Sequence, residues 1–146
     1  MIVYLDASAL VKRYVIERDS EKVIELTQSA TVVATSIVTR AEVAAALARV
    51  ARLKVLDFDQ ARLAQRRFAA DWPDYAQVPV TEALVARAES LAWDYELRGY
   101  DAVQLASALI WQESIGEDVV LATFDRQLWN AAPRAGLQAW PQKLGR

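Results

Sequence analysis

Ile2-Val3-Tyr4-Leu5-Asp6 is the stretch from which the fold is read. Four apolar residues stopped at once by a carboxylate are too few for a helix and show no polar alternation. They read as a strand buried on both faces, which is the pattern of a parallel sheet. Similar segments recur along the chain. Thr31-Val32-Val33-Ala34-Thr35 is rich in β-branched residues, and Val119-Val120-Leu121-Ala122-Thr123 is the clearest late strand. Val78-Pro79-Val80 is a weak strand that its proline confines to an edge, and Leu137 to Trp140 reads as a last one. Helices fill the intervals. They are expected over residues 8–16, over Ser20 to Gln28, from Thr39 to about Leu53, and from Asp57, where Ala61, Ala64, Phe68 and Trp72 share a stripe. Another opens at Thr81 with Leu84, Ala88, Leu91 and Tyr95 in register and closes at Gly99. One more begins at Asp101 with Ala102, Leu105 and Leu109 on one face. A short helix begins at Asp125 and is terminated by Pro133 and Gly136. Strands alternating with helices predict a three-layer α/β/α domain with a mostly parallel sheet.

The chain has 146 residues, enough for one domain with a real core, taken here as 1–146. Hydrophobic residues make up 54% of it, which leaves little room for disorder. The formal net charge of −2 argues against a broad basic surface, so any nucleic-acid contact must be local. Cysteine and histidine are both absent. That excludes disulfides, zinc–thiolate sites, cysteine nucleophiles and imidazole bases. Chemistry is left to carboxylates, hydroxyls, Lys and Arg, and carboxylates without imidazole suit hard cations such as Mg²⁺ or Mn²⁺. The first apolar run meets Asp6 too soon for a signal peptide, and no apolar run approaches ~20 residues. A cytoplasmic protein is expected.

Four acids fall at telling places. Ligands in open α/β sheets bind beyond the carboxyl ends of the strands. Asp6 lies just past the first strand, and Asp125 lies two residues past Thr123. Glu42 sits in the first turn after the second strand, and Asp101 sits at a helix start. Each acid also has a purely local reading. Thr39-Arg40-Ala41-Glu42 has the form of a capping box. Asp101 and Asp125 could be N-caps, whereas for the first helix Ser8 is better placed to cap than Asp6. Together the four point to one rim. At ~4 Å each pair of carboxylates would repel by roughly 1–4 kcal/mol, and a divalent cation would relieve that repulsion.

These segments resemble the PIN-domain family, in particular the VapC-type toxins of toxin–antitoxin pairs. Ile2 to Lys12 looks like the family's opening. Ser36 with Thr39-Arg40-Ala41-Glu42-Val43 looks like its second motif, and Leu97-Arg98-Gly99-Tyr100-Asp101-Ala102-Val103-Gln104-Leu105-Ala106-Ser107-Ala108 like its third. Ala122-Thr123-Phe124-Asp125-Arg126-Gln127-Leu128 looks like its fourth. The resemblance implies a Mg²⁺- or Mn²⁺-dependent endoribonuclease that hydrolyses RNA phosphodiester bonds with a metal-activated water. Asp6, Glu42, Asp101 and Asp125 match the family's catalytic, metal-binding acids, and Ser8 and Thr123 its supporting polar residues. It further implies an RNA substrate, a cognate antitoxin and a homodimer. Two rival readings are a receiver-like signalling domain and a PIN-like module that only binds. A receiver would need an acceptor Asp at the end of the middle strand and a late lysine, but the only late lysine is Lys143.

Several cations adjoin the acidic motifs. Arg98 and Arg126 are candidate RNA-binding residues. Lys12, Arg13 and Arg40 read better as solvated surface or partners of acids. Trp93, Trp111 and Trp129 are expected in the core rather than stacked on bases. Ala41 to Ala48 is apolar apart from Glu42, so its helix should bury a second face against a neighbouring helix, another subunit or a partner.

Overall fold

The computed structural model describes all residues, 1–146. Five strands form one fully parallel sheet: β1 (Ile2–Leu5), β2 (Val32–Ser36), β3 (Ala76–Val78), β4 (Val119–Ala122) and β5 (Gln138–Trp140), in the spatial order β3-β2-β1-β4-β5. The weak third strand is indeed at an edge, displaced so that Pro79 falls just after it. This order differs from the 2-1-3-4-5 order of receiver domains and removes that rival reading.

Seven helices cover the two faces: α1 (Ala7–Leu10), α2 (Ser20–Ser29), α3 (Thr39–Arg52), α4 (Phe58–Asp71), α5 (Glu82–Tyr95), α6 (Gly99–Ile115) and α7 (Arg126–Ala135). Strand β1 shows why the result is three-layered. Successive side chains of a strand point to opposite faces. Val3 and Leu5 accordingly join one core with Ala9, Leu26, Val43, Leu47, Phe68 and Trp72. Tyr4 joins the other with Leu84, Leu91, Leu105, Leu121 and Leu128.

The structure moves several expected boundaries. The first helix is one α-turn, Ala7–Leu10, tightening into a 3₁₀ turn at Val11–Arg13. Its cap is Asp6 and not Ser8, because the Asp6 carboxylate accepts from Ala9 N at 3.0 Å. Gly99 opens α6 instead of closing α5, which ends at Glu96 in the left-handed region, φ 54°. Asp101 is therefore the third residue of α6 and caps nothing. Pro133 lies inside α7, and Gly136 alone ends it. Trp93 is 84% exposed, contrary to expectation. It follows the buried Leu91 by two residues, or about 200° around the helix, and so lies on the opposite face. Trp111 does pack against a core, and Trp129 is half-buried, donating to the Pro141 carbonyl at 2.7 Å. No helix is long and apolar enough to cross a membrane.

Candidate active site

Register brings the first two site residues together. Leu5 of β1 pairs with Ala122 of β4, so the residues that follow, Asp6 and Thr123, emerge side by side. The Thr123 hydroxyl donates to Asp6 Oδ2 at 2.6 Å, and Ser8 donates to Asp6 Oδ1 at 2.7 Å. With Ala9 N, Asp6 holds three donors. Ser8 in turn accepts from Phe124 N at 2.9 Å, and Thr123 accepts from Asp125 N at 3.0 Å. The two hydroxyls thus tie the ends of β1 and β4 to the start of α7.

Glu42 stands one turn into α3, just after β2. Its capping box does not form, because Thr39 is itself helical and the preceding Val38 makes no side-chain cap. Glu42 Oε1 instead accepts from Gln104 Nε2 at 2.8 Å. Gln104 is buried and lies three residues after Asp101 on α6, on the same face of the helix. Its amide also donates to Thr39 Oγ1 at 2.9 Å and accepts from Tyr4 at 2.6 Å. The Thr39 hydroxyl lies 2.8 Å from that of Thr35, which donates to the Leu5 carbonyl at 2.7 Å. The Thr35 hydroxyl has donor geometry toward both the Leu5 carbonyl and Thr39 Oγ1, and Thr39 Oγ1 accepts from Gln104 as well. The amide nitrogen of Gln104 thus faces Thr39 and Glu42, and its oxygen faces Tyr4. No buried side-chain polar atom of the protein lacks a partner.

From the sequence no role is read for Gln104, Thr35 or Tyr4, and Thr39 is read only as a helix cap. The signal was present for Gln104, an amide in the otherwise apolar run from Ala102 to Leu109 but for Ser107, one helical turn after a candidate acid.

The outer pair is bridged by a cation. Arg98 donates from Nε to Asp101 Oδ2 at 3.0 Å and from Nη2 to Asp125 Oδ2 at 2.7 Å. Asp125 also caps α7, its Oδ1 accepting from Leu128 N at 2.9 Å, so the capping expectation holds for this acid. Arg98, Asp125 and Arg126 line an open cleft of about 370 Å³ with Glu96, Leu97 and Gln127. Arg126 donates to the Gly145 carbonyl at 2.7 Å. Lys12 is paired with Glu17 at 3.2 Å, Arg13 donates to Tyr75, and Arg40 lies over the Trp72 ring, so all three have structural partners.

The electrostatics run through the acids in series. Burial pushes Asp6 up from 3.8 to about 6 although its three hydrogen bonds favour the charged form, and the charge of Glu42 adds to the rise. Glu42 is raised by burial, opposed by Gln104, and raised further by Asp101. Asp101 is raised by burial and by Asp125, opposed by Arg98. Each acid therefore senses the next, and the structure brings all four to one rim. No three of them converge on a point within ligating reach as they stand.

The profile of the PIN domain family matches residues 3–133. The chain belongs to the PIN domain family. A PIN relative, Ribonuclease VapC45 of Mycobacterium tuberculosis (strain CDC 1551 / Oshkosh), is 35% identical over 144 residues, covering 98% of this chain and 97% of its own. Among solved structures, FitAB bound to an IR36 DNA fragment is similar with a TM-score of 0.72 and 17% identity, covering 99% of each chain. A toxin–antitoxin complex from Klebsiella pneumoniae is similar with a TM-score of 0.66 and 17% identity, over 90% of this chain and 92% of that one. At these identities the structural likeness concerns the PIN fold alone.

Proposed function

We propose that this PIN domain is a divalent-metal-dependent endoribonuclease acting as the toxin of a toxin–antitoxin pair. The observation that carries the reading is the series of four carboxylates at the carboxyl ends of the central strands, in which Asp6 senses Glu42, Glu42 senses Asp101 and Asp101 senses Asp125, in a chain 35% identical to a named ribonuclease over 144 residues. All four acidic positions are filled, which speaks against a module that only binds.

The donor set suits a hard cation. Mg²⁺ and Mn²⁺ take carboxylate and water oxygens, and Mg²⁺ usually keeps several waters and uses only one or two carboxylates. Three converging acids are therefore not required. Asp6 and Glu42 are held by neutral donors alone, with no ion pair to offset their charge, and that is the charge a cation would meet. Asp6, Glu42, Asp101 and Asp125 are the residues that would hold it. A bound divalent ion supplies Lewis acidity and lowers the pKa of a coordinated water.

The protein's own groups do the rest. Ser8 and Thr123 hold the Asp6 carboxylate by both oxygens, and Gln104 orients Glu42. Arg98 and Arg126, exposed at the cleft, would meet RNA phosphates on giving up their partners within the protein, a contact that holds the strand without reading its sequence. A toxin must also be restrained in the cell that makes it. The groove of about 410 Å³ between α3 and α4, lined by Ala44, Leu47, Ala48, Ala51, Phe58 and Ala61 among others, suits an apolar helix of an antitoxin. A homodimer completes the reading.

The test is incubation of the purified protein with single-stranded or looped RNA and MnCl₂, with and without EDTA. Cleavage with Mn²⁺ that EDTA stops is expected. Equal cleavage in both would sink the metal mechanism.

A further inference from the structure

We propose that Arg98 is a built-in competitor of the divalent cation, bridging Asp101 and Asp125 when no ion is held and giving them up when one enters. This rests on the reading of the four acids as the metal-binding set.

The oxygens decide the matter. Asp125 spends Oδ1 on the α7 cap, through Leu128 N at 2.9 Å. Its other oxygen, Oδ2, is the one left for an ion, and Arg98 Nη2 takes it at 2.7 Å. Arg98 Nε takes Asp101 Oδ2 at 3.0 Å. One guanidinium thus covers an oxygen of each outer acid. It is always protonated, so it cannot ligate a cation itself, and although each oxygen keeps a second lone pair, a fixed positive charge 2.7–3.0 Å from both oxygens repels an ion that would bind there.

The side chain is also free to leave. It is 73% exposed, and exposed ion pairs are weak. Its backbone stays fixed, because Arg98 is the first residue before α6, with its carbonyl accepting from Ala102 N at 2.9 Å and the buried Leu97 beside it. The swing is therefore a rotation of one side chain about an anchored hinge. Arg126 gives the contrast on the same rim, since its guanidinium is held by the Gly145 carbonyl and pairs with no acid. The device sets how much cation the enzyme needs and leaves the outer acids neutralised until that level is reached.

Calorimetric titration of the metal-free protein with MnCl₂ tests this without reference to activity, each variant being checked for an unchanged circular dichroism spectrum. Arg98→Gln should bind Mn²⁺ about three- to tenfold more tightly than wild type, the scale of one exposed bridging pair lost. Arg98→Lys keeps the charge but cannot span both acids, and it should fall between the two. Arg126→Gln removes the same charge from the same rim and should change affinity by less than about twofold. Equal or weaker binding by Arg98→Gln overturns the proposal while the metal reading stands. Equal tightening by Arg98→Gln and Arg126→Gln overturns it as well, since charge alone would then explain the gain. If neither wild type nor Arg98→Gln binds Mn²⁺, the metal reading fails and takes the proposal with it.

Discussion

Gln104 on α6 donates to Glu42 on α3 at 2.8 Å across 62 residues of chain, and the same amide accepts from Tyr4 on β1. One buried side chain therefore sets the distance between two helices, the central strand and a candidate catalytic acid. Leucine at this position would keep the bulk and lose every bond.

Gln104→Leu should cost about 2–4 kcal/mol, because the buried Tyr4 hydroxyl loses its acceptor while Thr39 and Glu42 lose donors. For a domain of this size that is a fall of roughly 5–15 °C in melting temperature. Differential scanning calorimetry measures it, and a shift under a degree would show that the network can repair itself.

The strand-end acids were legible because sheet position follows from short apolar runs, and Asp6 and Asp125 sit where those runs stop. Local rules misassigned the others. Thr39 and Glu42 have capping-box spacing, yet the helix starts at Thr39 itself, and both side chains turn to Gln104. Gly99 suggested a helix end, but Glu96 takes the left-handed turn and Gly99 begins α6. Such outcomes depend on a partner distant in sequence, or on which of two adjacent residues adopts positive φ. Periodicity carries neither. It does carry the face, and by that measure Trp93 was misjudged against its own helix, opposite Leu91.

Asp101→Asn should lower RNA cleavage at least about 100-fold, more than a supporting residue of a metal site ordinarily costs. The fold should survive, since Asp101 caps no helix and its only bond is to the exposed Arg98. Cleavage assays beside thermal melts separate the two effects. Activity near wild type would remove Asp101 from the chemistry.

The metal-free protein should lose stability as pH rises. Asp6 titrates at about 6 in the folded chain against 3.8 ordinarily, so the folded state binds the extra proton between those values. Its stabilising effect is full below about pH 4 and is lost as pH climbs through about 6. Two units correspond to about 3 kcal/mol, an upper figure for this one group. Glu42 and Asp101 are shifted in the same direction. Melts in EDTA at pH 5 and pH 7.5 should therefore favour the lower pH, and Asp6→Asn should flatten the difference. The variant should also melt higher than wild type at pH 7.5. A lower melt would mean that the bonds from Ser8, Ala9 and Thr123 outweigh the cost of burying the charge.

The surface for a partner is the last matter, and α3 divides into two stripes that settle where to look. Val43 and Leu47 are buried in the core beneath the sheet, with Leu47 reaching the floor of the groove, so that stripe is already spent on folding. Ala44, Ala48 and Ala51 instead line the groove against α4, with Phe58 69% exposed at its edge and Leu53 and Val55 exposed nearby. Alanines let a second helix approach closely, and the three large side chains would add apolar area worth roughly 25 cal/mol per Å² on burial. Phe58 follows the Asp57 cap and its side chain is largely in water, so Phe58→Asp should leave the free domain folded. In co-expression with a small antitoxin encoded beside it, should the genome carry one, wild type should retain the antitoxin on purification, and Phe58→Asp should lose most of it. Light scattering of the free protein at micromolar concentration should give a dimer for both. Retention of the antitoxin by the variant would place the partner elsewhere, and a wild-type monomer would remove the homodimer from the reading.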